Sequence, residues 1–479
     1  MWGSGSTINI ELPVERFLGP TRADGTLLHA AQLVAEGLLG AQATLKIMAW
    51  DVDNPTQPGY PCNAHDRVFF NGEMMTALDP QNPEFLQGPH NAWTLCRFSI
   101  PISKVKFPSQ PGSNGSPPTA AVNVLRIDVD VDNCGLEAWI GWVALVEIKC
   151  MSPVILVHGN GQSGAFFGGP EHFGEGLGNL HLLWSAAINL GTNPRALNAK
   201  TLDTQLPPLV RQYGVDSVHL VAHSKGGLDA RDYLALYQPK HNADFTVLSL
   251  TTLSTPHNGS VLADISQSYF DAKEKARLVD FAGFPFMTGA LTTLIPSDRG
   301  RPDLQTKACA AFNAANVPAL QRVGGRAYNT VAADADLNVN ARIDRNPDEY
   351  RELREDDADL AAVDALSHTA SRLVVDRMYQ LLRRFDGVTV TYGKKTIMYH
   401  GEPVSVSTAT IVANPSPDAL YNDCMVTVPS ALGVGSFASL VTNTADLNAN
   451  HSSVADRAVA EYHVGPWIIQ VERTRGDLK

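Results

Sequence analysis

Several features are absent from this sequence of 479 residues, and each absence removes a class of function. No apolar stretch reaches the roughly 18–20 residues that cross a bilayer, so we expect no transmembrane segment. No run of lysine or arginine is present and the net charge is −12, so we expect no nucleic-acid partner. None of the six cysteines has the spacing of a structural zinc site. The first ten residues lack the basic start and apolar core of a signal peptide.

The composition, with 44% apolar and 18% charged residues, predicts a folded protein, and the length predicts two or three domains. A change of pattern near residue 150 separates two parts. Before it, polar and apolar residues alternate in short runs such as ATLKIMAW and VNVLRIDV, divided by turns rich in Pro, Gly and Asn. Alternation with this turn spacing is typical of antiparallel strands, and it predicts an all-β sandwich over residues 1–150.

After residue 150 the strands become continuously apolar. Examples are PVILVHG (153–159), DSVHLVAHS (216–224) and TVLSLTTLST (246–255), with helical stretches between them. Continuous apolar strands are buried on both faces, and alternation of strand and helix is typical of parallel sheets. We therefore expect an α/β domain over residues 151–479, with a doubly wound, mainly parallel sheet.

The strongest chemical signal is VHLVAHSKGGLDARDYL, in which Ser224 lies in a turn between a strand and a helix. A serine on so sharp a turn needs small residues two positions away on either side, and Ala222 and Gly226 meet that need. The turn would expose the hydroxyl beside the amino end of the following helix. An ordinary strand-to-helix turn is the alternative interpretation.

A serine nucleophile also needs a base, a carboxylate and an oxyanion hole. The first apolar strand ends in His-Gly-Asn-Gly (158–161), a loop expected to lie beside the turn of Ser224 at the carboxyl edge of the sheet. The backbone N–H groups of Asn160 and Lys225 are therefore our candidates for the oxyanion hole. A glycine-rich turn with no chemistry explains the same residues.

Six motifs in this order resemble the bacterial true lipases of the α/β-hydrolase superfamily: PVILVHGNGQS, VHLVAHSKGG, LSTPHNGS, FNAANVP, YNDCMVTVPSALG and NANHSSV. The resemblance covers roughly residues 153–330 and 415–470. It implies a catalytic triad of Ser224, Asp423 and His451. The rival histidines are His368, in a predicted helix, and His257, which we expect to be a structural loop residue.

Two positions depart from that family. Cys424 stands where the family usually has glycine after the acid, and Ser453 stands where many members have an acidic calcium ligand. A separate calcium candidate is a loop with oxygen side chains at alternate positions, namely Asp334, Asp336, Asn338, Asn340 and Asp344. A solvated acidic loop explains the same pattern, and it is the interpretation that we favour. We expect no cofactor to be required, and a structural calcium ion stays open.

Two regions outside the triad suggest further roles. Residues 261–311 include FAGFPFMTGALTTLIP, which is apolar but broken by Gly and Pro; the resemblance implies a lid there, and a core helix is the alternative. Residues 1–150, with Trp139 and Trp142, resemble accessory modules of bacterial secreted proteins. That resemblance implies a secreted or extracytoplasmic location and either a polymer or glycan surface as partner or a module that only supports the fold.

These features together predict a serine carboxylic-ester hydrolase. It would act as a lipase or esterase on water-insoluble or medium-chain acyl esters, through an acyl-enzyme. A polyester depolymerase or acyltransferase with the same triad is one alternative. A non-catalytic binding protein on a hydrolase fold is another.

Overall fold

The computed structural model describes residues 5–50, 65–78, 85–86, 92–132, 139–282, 299–335, 382–383, 385–400, 402–416, 421–447, 449 and 451–475. Up to residue 150, these ranges contain eight strands: β1 (Thr7–Val14), β2 (Gln42–Trp50), β3 (Asp66–Phe70), β4 (Glu73–Met74), β5 (Phe85–Leu86), β6 (Trp93–Pro101), β7 (Ala121–Asp128) and β8 (Trp139–Glu147). One sheet has the order β1-β7-β3-β4, with β5 paired to β3, and the other has the order β6-β2-β8. Short helices α1 (Ala30–Ala35) and α2 (Met75–Leu78) accompany them.

The two N-terminal sheets share one hydrophobic core. Every second side chain of β2 is buried, namely Ala43, Leu45, Ile47 and Ala49. They belong to the same cluster as Phe98 of β6 and Ile127 of β7. All pairings in both sheets are antiparallel. The antiparallel arrangement predicted from the alternating pattern is confirmed.

The remaining strands are β9 (Val154–Val157), β10 (Trp184–Ser185), β11 (Ser217–His223), β12 (Thr246–Leu253), β13 (Leu278–Ala282), β14 (Ala327–Ala333), β15 (Phe385–Tyr399), β16 (Glu402–Pro415) and β17 (Asn443–Leu447). Six of them form a sheet of order β10-β9-β11-β12-β14-β17. Every pairing in this sheet is parallel. The register places Val157 beside Ala222 and His223 beside Leu253, so the carboxyl ends of β9, β11 and β12 lie together.

Helices cover both faces of the parallel sheet. They are α3 (Phe173–Asn179), α4 (Arg195–Tyr213), α5 (Lys225–Leu236), α6 (Val261–Lys275), α7 (Thr306–Val323), α8 (Val428–Ala431), α9 (Arg457–Val459) and α10 (Gly465–Arg475). Ile155 and Val157 share a core with α4 and α5 on one face. Val154 and Leu156 share a core with α3 and α10 on the other. The doubly wound arrangement predicted from the apolar strands is confirmed.

The predicted lid-like insertion, residues 261–311, is described at both ends, and residues 283–298 lie outside the described residues. Its first part forms α6 and β13. Strand β13 joins the hairpin of β15 and β16 in a separate three-stranded sheet of order β13-β16-β15. Ile265 and Tyr269 of α6 are buried against Ala409 and Ile411 of β16. Residues 261–282 are therefore packed on a sheet that the sequence pattern did not predict.

Most of the predicted helix over residues 360–385, with His368, also lies outside the described residues. In the part of the chain that is described, no helix is both long and apolar enough to span a bilayer.

Main-chain hydrogen bonds join the end of α4 to two loops of the N-terminal part, one after β1 and one before β7. The N–H of Phe17 donates to the carbonyl of Tyr213 at 3.0 Å, and the N–H of Gly112 donates to the carbonyl of Gln212 at 2.7 Å. Gly214 ends the helix with φ of 63°, and a Cβ at this position would overlap the carbonyl oxygen of Glu15. The glycine is therefore required both by its left-handed conformation and by the close approach of the chain.

We expect Gly214→Ala to destabilise the protein by more than conformational strain alone. Gly72 is a matched control, because its φ is +87° and a Cβ added there would have no other atom within 4 Å. Gly72→Ala should reduce the free energy of unfolding by about 1–2 kcal/mol, the cost of a left-handed alanine. Gly214→Ala should cost clearly more in urea denaturation, since the Glu15 backbone must also move. Equal losses of unfolding free energy in the two variants would mean that the Glu15 backbone moves at little cost.

Candidate active site

Ser224 lies between β11 and α5 in a strained backbone conformation, with φ of 53° and ψ of −130°. Such values are rare for a residue with a side chain and cost on the order of 1–3 kcal/mol. The turn is held by close packing. A Cβ on Gly226 would overlap the carbonyl oxygen of His158, and one on Gly227 would overlap the hydroxyl of Thr255. Glycine at these positions lets α5 start directly after Ser224.

The structure brings the three predicted triad side chains into one hydrogen-bonded chain. His451 Nε2 lies 2.9 Å from Ser224 Oγ, and His451 Nδ1 lies 2.7 Å from Asp423 Oδ2. Asp423 is fully buried, whereas His451 is half-buried. The other carboxylate oxygen of Asp423 accepts hydrogen bonds from the N–H groups of Met425 (2.9 Å) and Val426 (2.6 Å). These donors fix the orientation of the carboxylate.

Cys424, which follows Asp423, has φ of 77°. This is the left-handed region that glycine adopts without steric cost. This chain therefore places a buried cysteine in a conformation suited to glycine.

The two candidate oxyanion residues follow neighbouring strands. Asn160 comes after β9, and Lys225 is the first residue of α5. The loop of Asn160 approaches the serine closely, because a Cβ on Gly159 would be 2.9 Å from Ser224 Cβ. Asn160 and Ser224 also line the same cavity of about 340 Å³. The loop of Asn160 and the start of α5 therefore both lie next to Ser224.

A buried ion pair on α5 was not predicted from the sequence. Lys225 Nζ lies 2.8 Å from Asp229 Oδ1, and both side chains are buried. Asn198 donates to the other oxygen of Asp229 at 2.9 Å. Burial raises the pKa of Asp229 to about 6, against the lowering effect of the Lys225 ammonium. The spacing of four residues on a helix was the available signal, since it places both side chains on one face.

Two buried histidines beside the site were also not assigned a role. His158 and His223 are each about 1% exposed. Burial lowers the pKa of His158. Burial, together with the neighbouring His451, holds the pKa of His223 well below its usual value. The rival His257 is buried elsewhere, where its Nδ1 accepts from Arg231 at 2.9 Å and its Nε2 lies 3.0 Å from the hydroxyl of Thr252.

The calcium candidate is described only at its first residue. The N–H of Asp334 donates to the carbonyl of Leu447 at 2.7 Å. The other members, Asp336, Asn338, Asn340 and Asp344, lie outside the described residues. Across the described ranges, no group of three or more His, Cys, Asp or Glu side chains is arranged to hold a metal ion.

Comparison with known proteins identifies related sequences for part of the chain. Residues 188–280 match a family model described as an alpha/beta hydrolase of unknown function. Triacylglycerol lipase 2 of Saccharomyces cerevisiae is 40% identical over 77 residues, which cover 15% of this chain and 23% of that protein. The triacylglycerol lipase of Pseudomonas fragi is 30% identical over 126 residues, which cover 25% of this chain and 39% of that protein. The matches thus span less than half the length of these curated relatives.

Among solved structures, the mature lipase BlEst2 of Bacillus licheniformis is 17% identical, with a TM-score of 0.40; the match covers 66% of this chain and 92% of that one. The family match and the six-stranded parallel sheet identify the protein as an α/β hydrolase by fold, so the predicted fold class is confirmed. Within that class, its sequence is similar to proteins named as triacylglycerol lipases.

Asp229 provides a test of the electrostatics of its ion pair with Lys225. Because its pKa of about 6 in the folded protein exceeds the ordinary value of 3.8, the unfolded chain ionises first as the pH rises. The carboxyl group therefore loses up to about 3 kcal/mol of its contribution to stability between pH 4 and pH 6. Asp229→Asn removes this titration. In urea denaturation, the variant should gain stability relative to the native protein from pH 4 to pH 7. A difference that does not vary with pH would contradict the raised pKa.

Proposed function

We propose that this protein is a serine carboxylic-ester hydrolase, a lipase or esterase with Ser224, His451 and Asp423 as its catalytic triad. The observation that carries this proposal is the continuous hydrogen-bonded chain from Ser224 Oγ through the imidazole of His451 to Asp423. A serine hydroxyl is a weak nucleophile by itself, and an imidazole held by a carboxylate is the arrangement that activates it.

The reaction follows from this geometry. Ser224 Oγ attacks the ester carbonyl while His451 Nε2 takes its proton, and Asp423 stabilises the imidazolium that forms. The backbone N–H groups of Asn160 and Lys225 bind the negative oxygen of the tetrahedral intermediate. His451 then gives its proton to the leaving alcohol, which leaves the acyl group on Ser224. A water molecule, deprotonated by His451, releases the acid in the same way.

The lining of the cavity supports an acyl substrate of low polarity. Beside Ser224 and His451, the cavity is bordered by six apolar residues and by polar ones that include Arg301; the apolar residues are Pro256, Leu262, Ala263, Leu304, Met425 and Val426. Apolar walls favour a hydrocarbon chain because its burial releases about 25 cal/mol for each Å² removed from water. We therefore propose water-insoluble or medium-chain acyl esters as substrates. The names of the related lipases support the same class.

Two other functions fit the same residues, and activity measurements separate them. A polyester depolymerase would release soluble products from a polyester film, and an acyltransferase would prefer an added alcohol to water as acceptor. A panel of soluble esters, emulsions and polyester films, with and without an added alcohol, distinguishes all three enzymes. A non-catalytic binding protein would turn over none of them.

We expect Ser224→Ala to abolish labelling by a serine-directed phosphonate and to lower ester hydrolysis by more than about 10⁴-fold. The melting temperature should stay close to that of the native protein, because this hydroxyl contributes to catalysis rather than to packing. Ser439→Ala, which changes an exposed serine, is the control and should label normally. Labelling that persists in Ser224→Ala would place the nucleophile at another residue.

As a second part of the proposed function, we propose that the N-terminal sheets bind a polymer or glycan. Trp93 on β6 is 57% exposed, and its ring meets that of Trp50 edge-on with centroids 5.6 Å apart. Trp139 of β8 is opposite Trp50 in the strand register, on the other side of β2. Lys46 and Glu147 form an ion pair on the same sheet. An exposed ring on a sheet that also carries charged groups suits a polymer with both apolar faces and polar groups.

We expect Trp93→Ala to weaken retention on insoluble polysaccharide or polyester while hydrolysis of a soluble ester stays unchanged. Binding would be measured as the fraction of protein removed from solution by each material. Tyr462→Ala is a matched control, because Tyr462 is 56% exposed and lies far along the chain in the hydrolase part. Equal retention of the two variants and the native protein would contradict a role for Trp93.

A further inference from the structure

His223, directly before the nucleophile, connects three parts of the active site. It is the last residue of β11 and is buried. Its Nε2 lies 2.7 Å from the backbone carbonyl oxygen of His451, and its Nδ1 lies 3.0 Å from Gln162 Oε1. The ring also stacks on Phe166, with centroids 4.5 Å apart. The side chain is thus packed on one face of its ring, and an oxygen atom lies near each of its nitrogens.

The contact with Gln162 reaches the loop that carries Asn160. Gln162 Oε1 also accepts the N–H of Gly159 at 3.0 Å. One imidazole therefore lies against both the loop with the proposed oxyanion donor and the loop with the proposed base. It belongs to the last residue of β11, directly before Ser224.

The number of protons on His223 determines which contact is stronger. Both ring nitrogens face oxygen atoms, and a neutral imidazole has only one N–H to donate. A backbone carbonyl accepts and never donates, so a separation of 2.7 Å places that hydrogen on Nε2. Burial and the neighbouring His451 keep the pKa of His223 low, which favours the neutral ring. The hydrogen bond to the His451 carbonyl is thus the one that the neutral ring makes.

The backbone of His451 is then held from both sides. Its N–H donates to the backbone carbonyl of Asp423 at 3.0 Å, and its carbonyl accepts from His223. The first bond is made by main-chain atoms and does not depend on any side chain. The second depends on residue 223 alone. A shift of about 1 Å in a catalytic group can cost on the order of 10²-fold in rate.

We propose that His223 is a positioning residue for the base: its Nε2–H fixes the main chain of His451 and so sets the imidazole within reach of Ser224. This inference rests on the proposed ester-hydrolase function. His223 also borders the cavity beside Ser224, but in this role it acts through the main chain of His451 and not through the ester. Its loss should therefore lower kcat and leave KM nearly unchanged.

The test compares His223→Gln with His223→Asn, using kcat and KM on a soluble ester. The amide of glutamine extends far enough to donate to the His451 carbonyl, whereas that of asparagine is one carbon shorter and falls short. We expect His223→Asn to lower kcat by about 10–100-fold, with KM within twofold of native. His223→Gln should recover most of this loss. Recovery by the longer amide is not expected of a residue that only fills space.

His219→Asn is the matched control. His219 lies on the same strand and is equally buried, but its nitrogens contact Ser249 (2.7 Å) and Glu472 (3.1 Å), away from the triad. The control should lower the melting temperature and leave kcat within twofold of native. Equal kcat values in the Gln and Asn variants, or a raised KM at native kcat, would overturn the proposed role of His223.

Failure of the hydrolase function and failure of the positioning role of His223 give different results. If the native protein is not labelled by the phosphonate, the proposed hydrolase function is wrong, and the role of His223 falls with it. If the native protein is labelled and His223→Asn is labelled at the same rate, the function stands and the positioning role is overturned. If His223→Asn does not fold, His223→Gln decides: a folded Gln variant whose kcat is below native by 100-fold or more contradicts the role.

Discussion

The arrangement of this site depends on one strained turn, the change of direction at Ser224 between β11 and α5. Its backbone conformation is unfavourable by itself, so surrounding contacts must hold it. The N–H of Ser224 donates to the carbonyl of Leu253 at 2.8 Å, which ties the turn to the end of the neighbouring strand. Gly226 and Gly227 bring α5 against His158 and Thr255. The parallel sheet therefore supplies the rigidity that the exposed hydroxyl requires.

Several buried ionisable groups around this turn are paired with each other. Lys225 meets Asp229 within α5, and His219 of β11 meets Glu472 of α10. The guanidinium of Arg231 is fully buried, donates to side chains of His257, Asn313 and Asn316, and lies over two aromatic rings. Burial lowers the pKa of Arg231 to about 9. Such networks cost desolvation energy, and in return they specify one arrangement of the chain around the site.

Local patterns in the sequence predicted what depends on neighbouring residues. Continuous apolar strands predicted the parallel sheet, and small residues beside Ser224 predicted its turn. The pairing of β13 with β16 was missed, because Leu278 and Thr408 are adjacent only after folding and no local pattern records that contact. Likewise, the roles of Asp423 and His451 were predicted from a resemblance to a known family rather than from their spacing. The distance of 2.7 Å between His451 Nδ1 and Asp423 Oδ2 is a product of tertiary structure.

His223 was not assigned a role for the same reason, because its contacts form only in the folded chain. In the sequence it is a polar residue at the end of an apolar strand, and a buried structural histidine would look identical. Its partners, Gln162 and His451, lie 61 and 228 residues away along the chain. A residue that acts by holding another main chain has no motif of its own, because its partner atom is a carbonyl group that every residue has. Only the folded geometry reveals which carbonyl it holds, and here it is that of the residue that faces Ser224.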